Sequence, residues 1–269
     1  MSLGGGAKPK VSVKTREQAK DTSLPQGYSG TARVVAYFDG PREPLHLHLV
    51  EIDGSGTIHV EADDVDKLLY VWDGEVKAGG HRLAKGSSLI VERGSALDVW
   101  GSEGGAVVLA FSAASSSVNP LPGGNIHLLP AQNAPRSDNL GGTIGLGGVM
   151  HADADCPTCE IWLHENRFPG RAIAPTDDEA GAHSHSEDEI IFVIDGEICL
   201  GKKLHGAGTA LAIAANTLYS FTAGPKGLHF VNFRAAKPGD IQFAKRPPIS
   251  ETAYWRERLP RPKYLSPMK

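Results

Sequence analysis

The segment His183-Ser184-His185-Ser186-Glu187-Asp188-Glu189 runs into the apolar stretch Ile190-Ile191-Phe192-Val193-Ile194 and holds the residues best suited to chemistry in this 269-residue chain. On an extended strand alternate side chains share a face, so His183, His185 and Glu189 point one way and Ser184, Ser186 and Asp188 the other. Two imidazole nitrogens and one carboxylate oxygen suit a divalent transition metal such as Fe, Mn, Co, Ni or Zn. Three protein ligands also leave coordination positions for water or substrate. Glu187 shares the parity of the ligands and Asp188 that of the serines, and both read as solvated or supporting groups.

The strand that follows ends in Asp195-Gly196, a pair expected to turn it into a hairpin. The same plan occurs earlier in the chain. Residues 73–111 and 195–233 align at a constant offset of 122, with Asp73-Gly74-Glu75 on Asp195-Gly196-Glu197, Gly86 on Gly208, Gly105 on Gly227 and Phe111 on Phe233. Leu68-Leu69-Tyr70-Val71-Trp72 lies on the apolar stretch as a matching buried strand, so the chain reads as two copies of one β-unit. In the first copy His183, His185, Glu189 and Tyr219 fall on Glu61, Asp63, Lys67 and Leu97. An ammonium in the place of the glutamate opposes metal binding, so this copy reads as structural, with Lys67 free to pair with Glu61 or Asp63; an unrelated ligand pocket is the alternative. His46 and His48 alternate with Leu45, Leu47 and Leu49 and read as a polar strand face or a hydrogen-bonded pair.

The pattern His-x-His-x3-Glu-x6-Gly, here His183, His185, Glu189 and Gly196, resembles the first motif of the cupin superfamily. The stretch from Gly208 to Tyr219 resembles the second. In it Ala214 takes the usual Pro position, Asn216, which tolerates a left-handed backbone, takes the Gly position, and Tyr219 stands where the family has a metal-binding His. The resemblance implies an all-β fold of two tandem double-stranded β-helix (jelly-roll) barrels, a bicupin whose metal motif survives only in the second barrel. Residues 1–30 would then be an N-terminal arm, 31–112 the barrel without metal, 113–148 a linker, 149–236 the metal-binding barrel and 237–269 a tail. It further implies metal-dependent chemistry on a small organic molecule. Cupins include dioxygenases, decarboxylases, isomerases, lyases and hydrolases, and a His/His/Glu set with open positions tilts the reading toward a dioxygenase-type oxidoreductase. The alternatives are a hydrolase, lyase or isomerase of the same fold, or a non-catalytic small-molecule-binding bicupin, which the replacement of His by Tyr219 favours. The architecture also resembles the ureidoglycine aminohydrolases of purine breakdown, whose ligand set is ordered differently, so their activity is not carried over. Cupins commonly pair through sheet edges, which implies a homodimer, or a monomer whose two barrels mimic one.

Two more residues are candidates for the site. Tyr219 could ligate as phenolate beside a cation, donate a hydrogen bond or proton to substrate, or be an ordinary aromatic facing the lumen with Phe221. In Glu160-Ile161-Trp162-Leu163-His164-Glu165, alternation puts Glu160, Trp162 and His164 on one face and Ile161 and Leu163 on the other. His164 is therefore a further ligand or base, or a hydrogen-bonding group on the outer face. His229 and Asn232 lie on opposite faces of their strand, so at most one lines a pocket, and Arg234 at the strand end would meet an anionic substrate or solvent.

Composition bounds the rest. Hydrophobic residues make up 41% of the chain, ample for a large core, and 32 Gly and 18 Pro among short Val/Ile/Phe-rich segments favour an all-β class. A net charge of −4 exerts no general pull on nucleic acid. No apolar run is long enough to cross a membrane and residues 1–30 lack the apolar centre of a secretion signal, so a cytoplasmic protein is expected, without nucleic-acid or membrane partners. From Lys237 to Lys269, eight Lys and Arg stand against three acids. This stretch reads as a tail wrapped on its own barrel or on a neighbouring subunit, with a basic arm for an acidic partner as the alternative. Gly141, Gly142, Gly145, Gly147 and Gly148 form a loop rather than a phosphate cradle, since no βαβ context surrounds them. Cys156 and Cys159 form one CxxC; with His151, Asp153 and Asp155 just before it an accessory zinc or redox site is conceivable, but an unpartnered CxxC reads as a reduced pair at a strand start. Cys199 reads as a core residue.

Overall fold

A computed structural model describes residues 10–140, 146–170 and 181–266. Residues 1–9 of the expected arm, Gly141, Gly142 and Gly145 of the glycine cluster, and the last three residues of the tail lie outside this set. The described residues are all-β apart from two 3-10 turns and one short α-helix, Glu251–Arg256.

The apolar segments assemble into two large antiparallel sheets. The ten-stranded N-terminal sheet runs, along its main path, Ile126–Leu129, Ser88–Val91, Lys67–Ala78, Leu97–Ala113, Leu45–Ile52, Arg33–Phe38, Lys20–Thr22. The eight-stranded C-terminal sheet runs Val11–Lys14, Ala210–Ile213, Glu189–Leu200, Thr222–Arg234, Trp162–Phe168, Gly147–Ala152, Arg136–Ser137. The strands of the two halves keep the offset of 122: Lys67–Ala78, His81–Ala84 and Ser88–Val91 recur as Glu189–Leu200, Lys203–Gly206 and Ala210–Ile213. One strand crosses between halves, since Val11–Lys14 adds to the C-terminal sheet beside Ala210–Ile213.

Contrary to the expectation from the sequence, the Asp-Gly pairs do not turn the chain. Both long strands run through them with a shift of register, and reverse only after Ala78 and Leu200. The reason is a close backbone approach. Gly74 has φ +73° and Gly196 φ +74°, and a Cβ on either would stand 2.2 Å from the Gly105 carbonyl or 2.3 Å from that of Gly227. These are bulges at which only glycine fits.

Each half encloses its own apolar cluster, and a third lies between them, joining Leu47, Leu49 and Leu68 to Leu163, Ile190 and Phe192. Across this seam equivalent residues touch each other. Phe111 stacks on Phe233 with ring centroids 4.9 Å apart, and Trp72 Nε1 donates to the Ile194 carbonyl at 3.3 Å. Contacts of a position with its own repeat are the mark of a twofold relation.

The basic tail folds back on the chain itself. Asp240–Phe243 pairs with His183–Ser184 on one side and Ile249–Ser250 on the other. Ser250 then caps the helix, its side chain accepting from the Ala253 amide. Further on, Arg256 pairs with Asp155, Arg261 with Asp153 at 2.8 Å, and Leu265 bridges to Leu128. No helix of the described residues is long and apolar enough to cross a membrane.

Candidate functional site

The motif from His183 to Glu189 is not one continuous strand. His183–Ser184 is a two-residue strand, the chain bends at Ser186 and Glu187, and the long strand starts at Glu189. Backbone donors hold the bend open. The Ala215 amide donates to Asp188 at 3.0 Å, the Gly239 amide to Glu187 at 3.0 Å, and the Asn216 amide to the His185 carbonyl at 2.7 Å. Asn216 has φ +58° and is the one non-glycine residue with positive φ among the described residues, the conformation expected of its place in the second motif. The turn of the second motif therefore clamps the first, and reciprocal backbone hydrogen bonds of 3.0 Å join His183 to Tyr219.

Despite the bend the expected side chains converge. The His183 ring lies 5.2 Å from that of His185 and 4.6 Å from that of Tyr219, centroid to centroid, and His185 Nε2 stands 4.0 Å from Glu189 Oε2. His183 Nδ1 is engaged with the Gly181 carbonyl at 2.8 Å, so it carries the proton and Nε2 keeps its lone pair. His185 Nδ1 lies 3.1 Å from Glu251 Oε2, off the angle of a good hydrogen bond but placed to be oriented by that carboxylate. Imidazoles whose outer nitrogen faces a carbonyl or carboxylate are arranged as metal ligands are. Glu189 contributes an orphan. Its Oε2 accepts from Asn232 at 2.7 Å and Arg234 at 3.3 Å, while buried Oε1 has no hydrogen-bond partner. The donor set thus fits a divalent cation, although the donor atoms of His183, His185 and Glu189 are not drawn within 4.8 Å of one another.

Three further residues complete the cluster, two of them in places the sequence does not show and the third, Asn232, as the one of the His229/Asn232 pair that reaches it. Arg234 meets neither solvent nor an open cavity: it is fully buried, with Nη1 donating to Glu251 Oε2 at 2.6 Å. Glu251, only 2% exposed, comes from the first turn of the tail helix. Asn232 shares the face of Arg234, and it rather than His229 reaches the site; His229 pairs instead with Glu165 at 2.8 Å on the seam side. The signal for Asn232 and Arg234 was a polar pair at i and i+2 in an apolar strand. Nothing local marks Glu251.

Burial and charge set the protonation of the cluster. Burial opposes ionisation of Glu189, but Arg234 and then His185 outweigh it and hold the carboxyl below its ordinary value; Glu251 is lowered in the same way, again chiefly by Arg234. Burial, with the negative charge of Glu189, raises the Tyr219 phenol well above its ordinary value, so it stays protonated. His164 is packed 4.6 Å from the Trp255 ring of the tail helix, and burial depresses it to about 3. At neutral pH it is an uncharged imidazole whose Nδ1 has no hydrogen-bond partner.

The equivalent place in the N-terminal half is closed by an ion pair. Lys67, 2% exposed, pairs with the Asp63 carboxylate and donates to the Glu61 carbonyl oxygen at 2.9 Å; the Glu61 carboxylate is not used. His46 and His48 line a cavity of about 340 Å³ beside this pair, their rings 6.3 Å apart and edge-on. Cys156 and Cys159 are free thiols just before the strand Trp162–Phe168, as the reduced-pair reading expects, and the accessory site with their sequence neighbours does not form. His151 turns to Glu165, Asp153 to Arg261 and Asp155 to Arg256, and none of the three joins the cysteines. Cys199 is 1% exposed, as a core residue should be.

No family model matches the sequence and no curated relative resembles it closely enough to align. Solved structures do resemble it. The Escherichia coli protein Ylba superposes with a TM-score of 0.63 at 14% identity, over 84% of this chain and 90% of that one. Bacillus subtilis oxalate decarboxylase, a protein with Mn(II) centres, gives 0.59 at 13%, over 92% and 81%. A protein of Nostoc punctiforme classed only provisionally as a dioxygenase gives 0.60 at 11%, over 92% and 89%. At such identities the likeness is one of fold alone, to neighbours of cupin type.

Proposed function

We propose that this cupin-type chain is a bicupin, two tandem jelly-roll barrels, whose C-terminal barrel is a metal-dependent enzyme for a small organic molecule. The observation that carries the reading is the convergence of His183, His185 and Glu189, with the outer nitrogen of His183 bonded to a carbonyl, that of His185 facing the Glu251 carboxylate, and Glu189 Oε1 left free. These three would hold the ion. A bound Fe, Mn, Ni or Zn would supply Lewis acidity and, for Fe or Mn, redox chemistry, and the finer reading is a dioxygenase-type oxidoreductase. The low-identity likeness to a Mn(II) decarboxylase and to a provisional dioxygenase is consistent with this class.

The chain's own residues have distinct parts in the proposal. The Tyr219 phenol, protonated without an ion beside it, would donate a hydrogen bond or proton to an oxygen of the substrate, or ligate the bound ion as phenolate. His164, neutral at pH 7, presents an unpartnered nitrogen as a hydrogen-bonding group rather than a base. Asn232 and Arg234 fix Glu189, and Glu251 orients His185. One observation favours the second reading, a non-catalytic binding protein: the buried Arg234 guanidinium already neutralises Glu189, the charge a cation would otherwise meet.

The test is metal loading. Reconstitution with Fe(II) or Mn(II) should give an equivalent that His185→Ala does not retain, and oxygen uptake by the Fe(II)-loaded protein over a panel of small organic acids and phenols should identify the substrate class. A wild-type protein that retains no ion dependent on His185 overturns the enzyme reading.

A further inference from the structure

The CxxC that the proposed function leaves unused closes a second constellation. Among the described residues one group of His, Cys, Asp or Glu brings its ligand atoms within 4.8 Å of one another: Glu92, His127, Cys156 and Cys159. Glu92 follows the strand Ser88–Val91, and His127 lies on Ile126–Leu129, the strand hydrogen-bonded beside it. Both belong to the N-terminal sheet. The cysteines come from the loop between Gly147–Ala152 and Trp162–Phe168 in the C-terminal sheet. The four donors therefore meet across the seam between the two halves.

The setting is that of a ligand shell. Both cysteines are buried and neither is in a disulfide. His127 Nε2 lies 2.7 Å from Glu92 Oε1 and Cys156 Sγ 3.6 Å from the same oxygen, so a nitrogen and a sulfur donor already stand against one carboxylate oxygen. The Glu92 side chain is fully buried, and among the described residues its one ionic partner is His127. A buried carboxylate is costly without a compensating cation, and among the described residues no Lys or Arg supplies one here. Outer groups hold the donors in place. The Asn125 amide and Asn125 Nδ2 donate to Glu92 Oε2 at 2.9 and 3.0 Å, the Thr158 hydroxyl donates to Oε1 at 2.6 Å, and the Cys159 amide donates to Cys156 Sγ at 3.1 Å. Fixing of ligands by second partners of this kind is a general property of metal sites.

We propose that Glu92, His127, Cys156 and Cys159 bind a structural zinc ion that staples the two halves of the chain together. Two thiolates with an imidazole and a carboxylate suit zinc rather than a hard cation, and four protein donors make a closed tetrahedral site with no position for substrate. The site differs in kind from the three-ligand set at His183, His185 and Glu189, and it stands whether or not that set is catalytic.

The test is zinc content by plasma mass spectrometry on full-length protein purified under reducing conditions, compared among wild type, Cys156→Ser/Cys159→Ser and His185→Ala. The expected result is one zinc equivalent that the serine variant loses and His185→Ala keeps, with a lower Tm for wild type after chelation that added zinc restores. Zinc content equal in wild type and the serine variant overturns the proposal, as does a wild type that remains zinc-free after reconstitution or is recovered with Cys156 and Cys159 disulfide-bonded and no zinc. Should the serine variant fail to fold, cobalt substitution of the wild type decides. Intense thiolate-to-cobalt charge-transfer bands that zinc displaces support the site, and a spectrum without them overturns it.

Discussion

Lys67 and Glu189 occupy the same place in two copies of one strand, yet they organise opposite sites. Lys67 closes its half with a single ion pair to Asp63, which is partly open to solvent, and the facing strand offers Ser112. Glu189 faces Arg234 at that position, and the pair recruits Asn232 and, from the tail, Glu251. The same backbone thus supports a self-satisfied ion pair in one half and, in the other, a buried network that leaves one carboxylate oxygen and two imidazole nitrogens unspent. Three or four side chains separate the two arrangements, on strands that keep the offset of 122.

The comparison breaks most sharply at Arg234. Arg234→Ala strands two buried carboxylates and should cost about 3–5 kcal/mol in urea denaturation, with part recovered in Arg234→Ala/Glu251→Gln; an unchanged midpoint would show that the network carries no stability. Acid acts on the same groups. The carboxyls of Glu189 and Glu251 are depressed in the folded protein, so their stabilisation is present above the unfolded value of about 4.5 and is lost as pH falls below it toward their folded values. Stability measured from pH 6 downward should therefore drop below about pH 4.5, and the drop should be shallower in Arg234→Ala.

The N-terminal pair should matter less. Lys67→Met keeps the bulk of the side chain and leaves Asp63 with its hydrogen bond from the Val65 amide, so a loss of about 1–3 kcal/mol is expected. Metal content should not change, and a loss of metal in Lys67→Met would contradict the assignment of that half as structural. The smallest effect is at the paired turns, where Asn216 with φ +58° corresponds to Gly94 with φ +76°. Asn216→Ala should cost about 1 kcal/mol because alanine resists the left-handed region, whereas Asn216→Gly should lie within about 0.5 kcal/mol of wild type. Thermal melts of the two variants side by side measure the difference.

Much of this was legible in the chain. The offset of 122 predicts where strands fall, because buried strands need apolar runs and each bulge needs its glycine, and those constraints are local. The spacing of His183, His185 and Glu189, and the tolerance of Asn216 for positive φ, are local in the same sense. Simple alternation failed where a long-range bond intervened: Asp188 and Glu187 are drawn to the amides of Ala215 and Gly239, and the strand bends between them. The surroundings of the CxxC are not legible for a related reason. Its sequence neighbours His151, Asp153 and Asp155 carry suitable groups, but each is claimed by a distant partner, and the donors that do surround the cysteines come from the other half.

What the sequence determined by itself is the β class, the repeat and the three residues gathered in the second copy, all of which rest on periodicity and spacing along one strand or turn. What only the tertiary structure decided is their company. Glu251 reaches the site because the tail pairs with the motif and ends in a capped helix, and Glu92 and His127 reach the cysteines because the halves meet about a twofold relation. Burial then fixes which groups keep their charge, and burial belongs to the packed chain rather than to any segment of it.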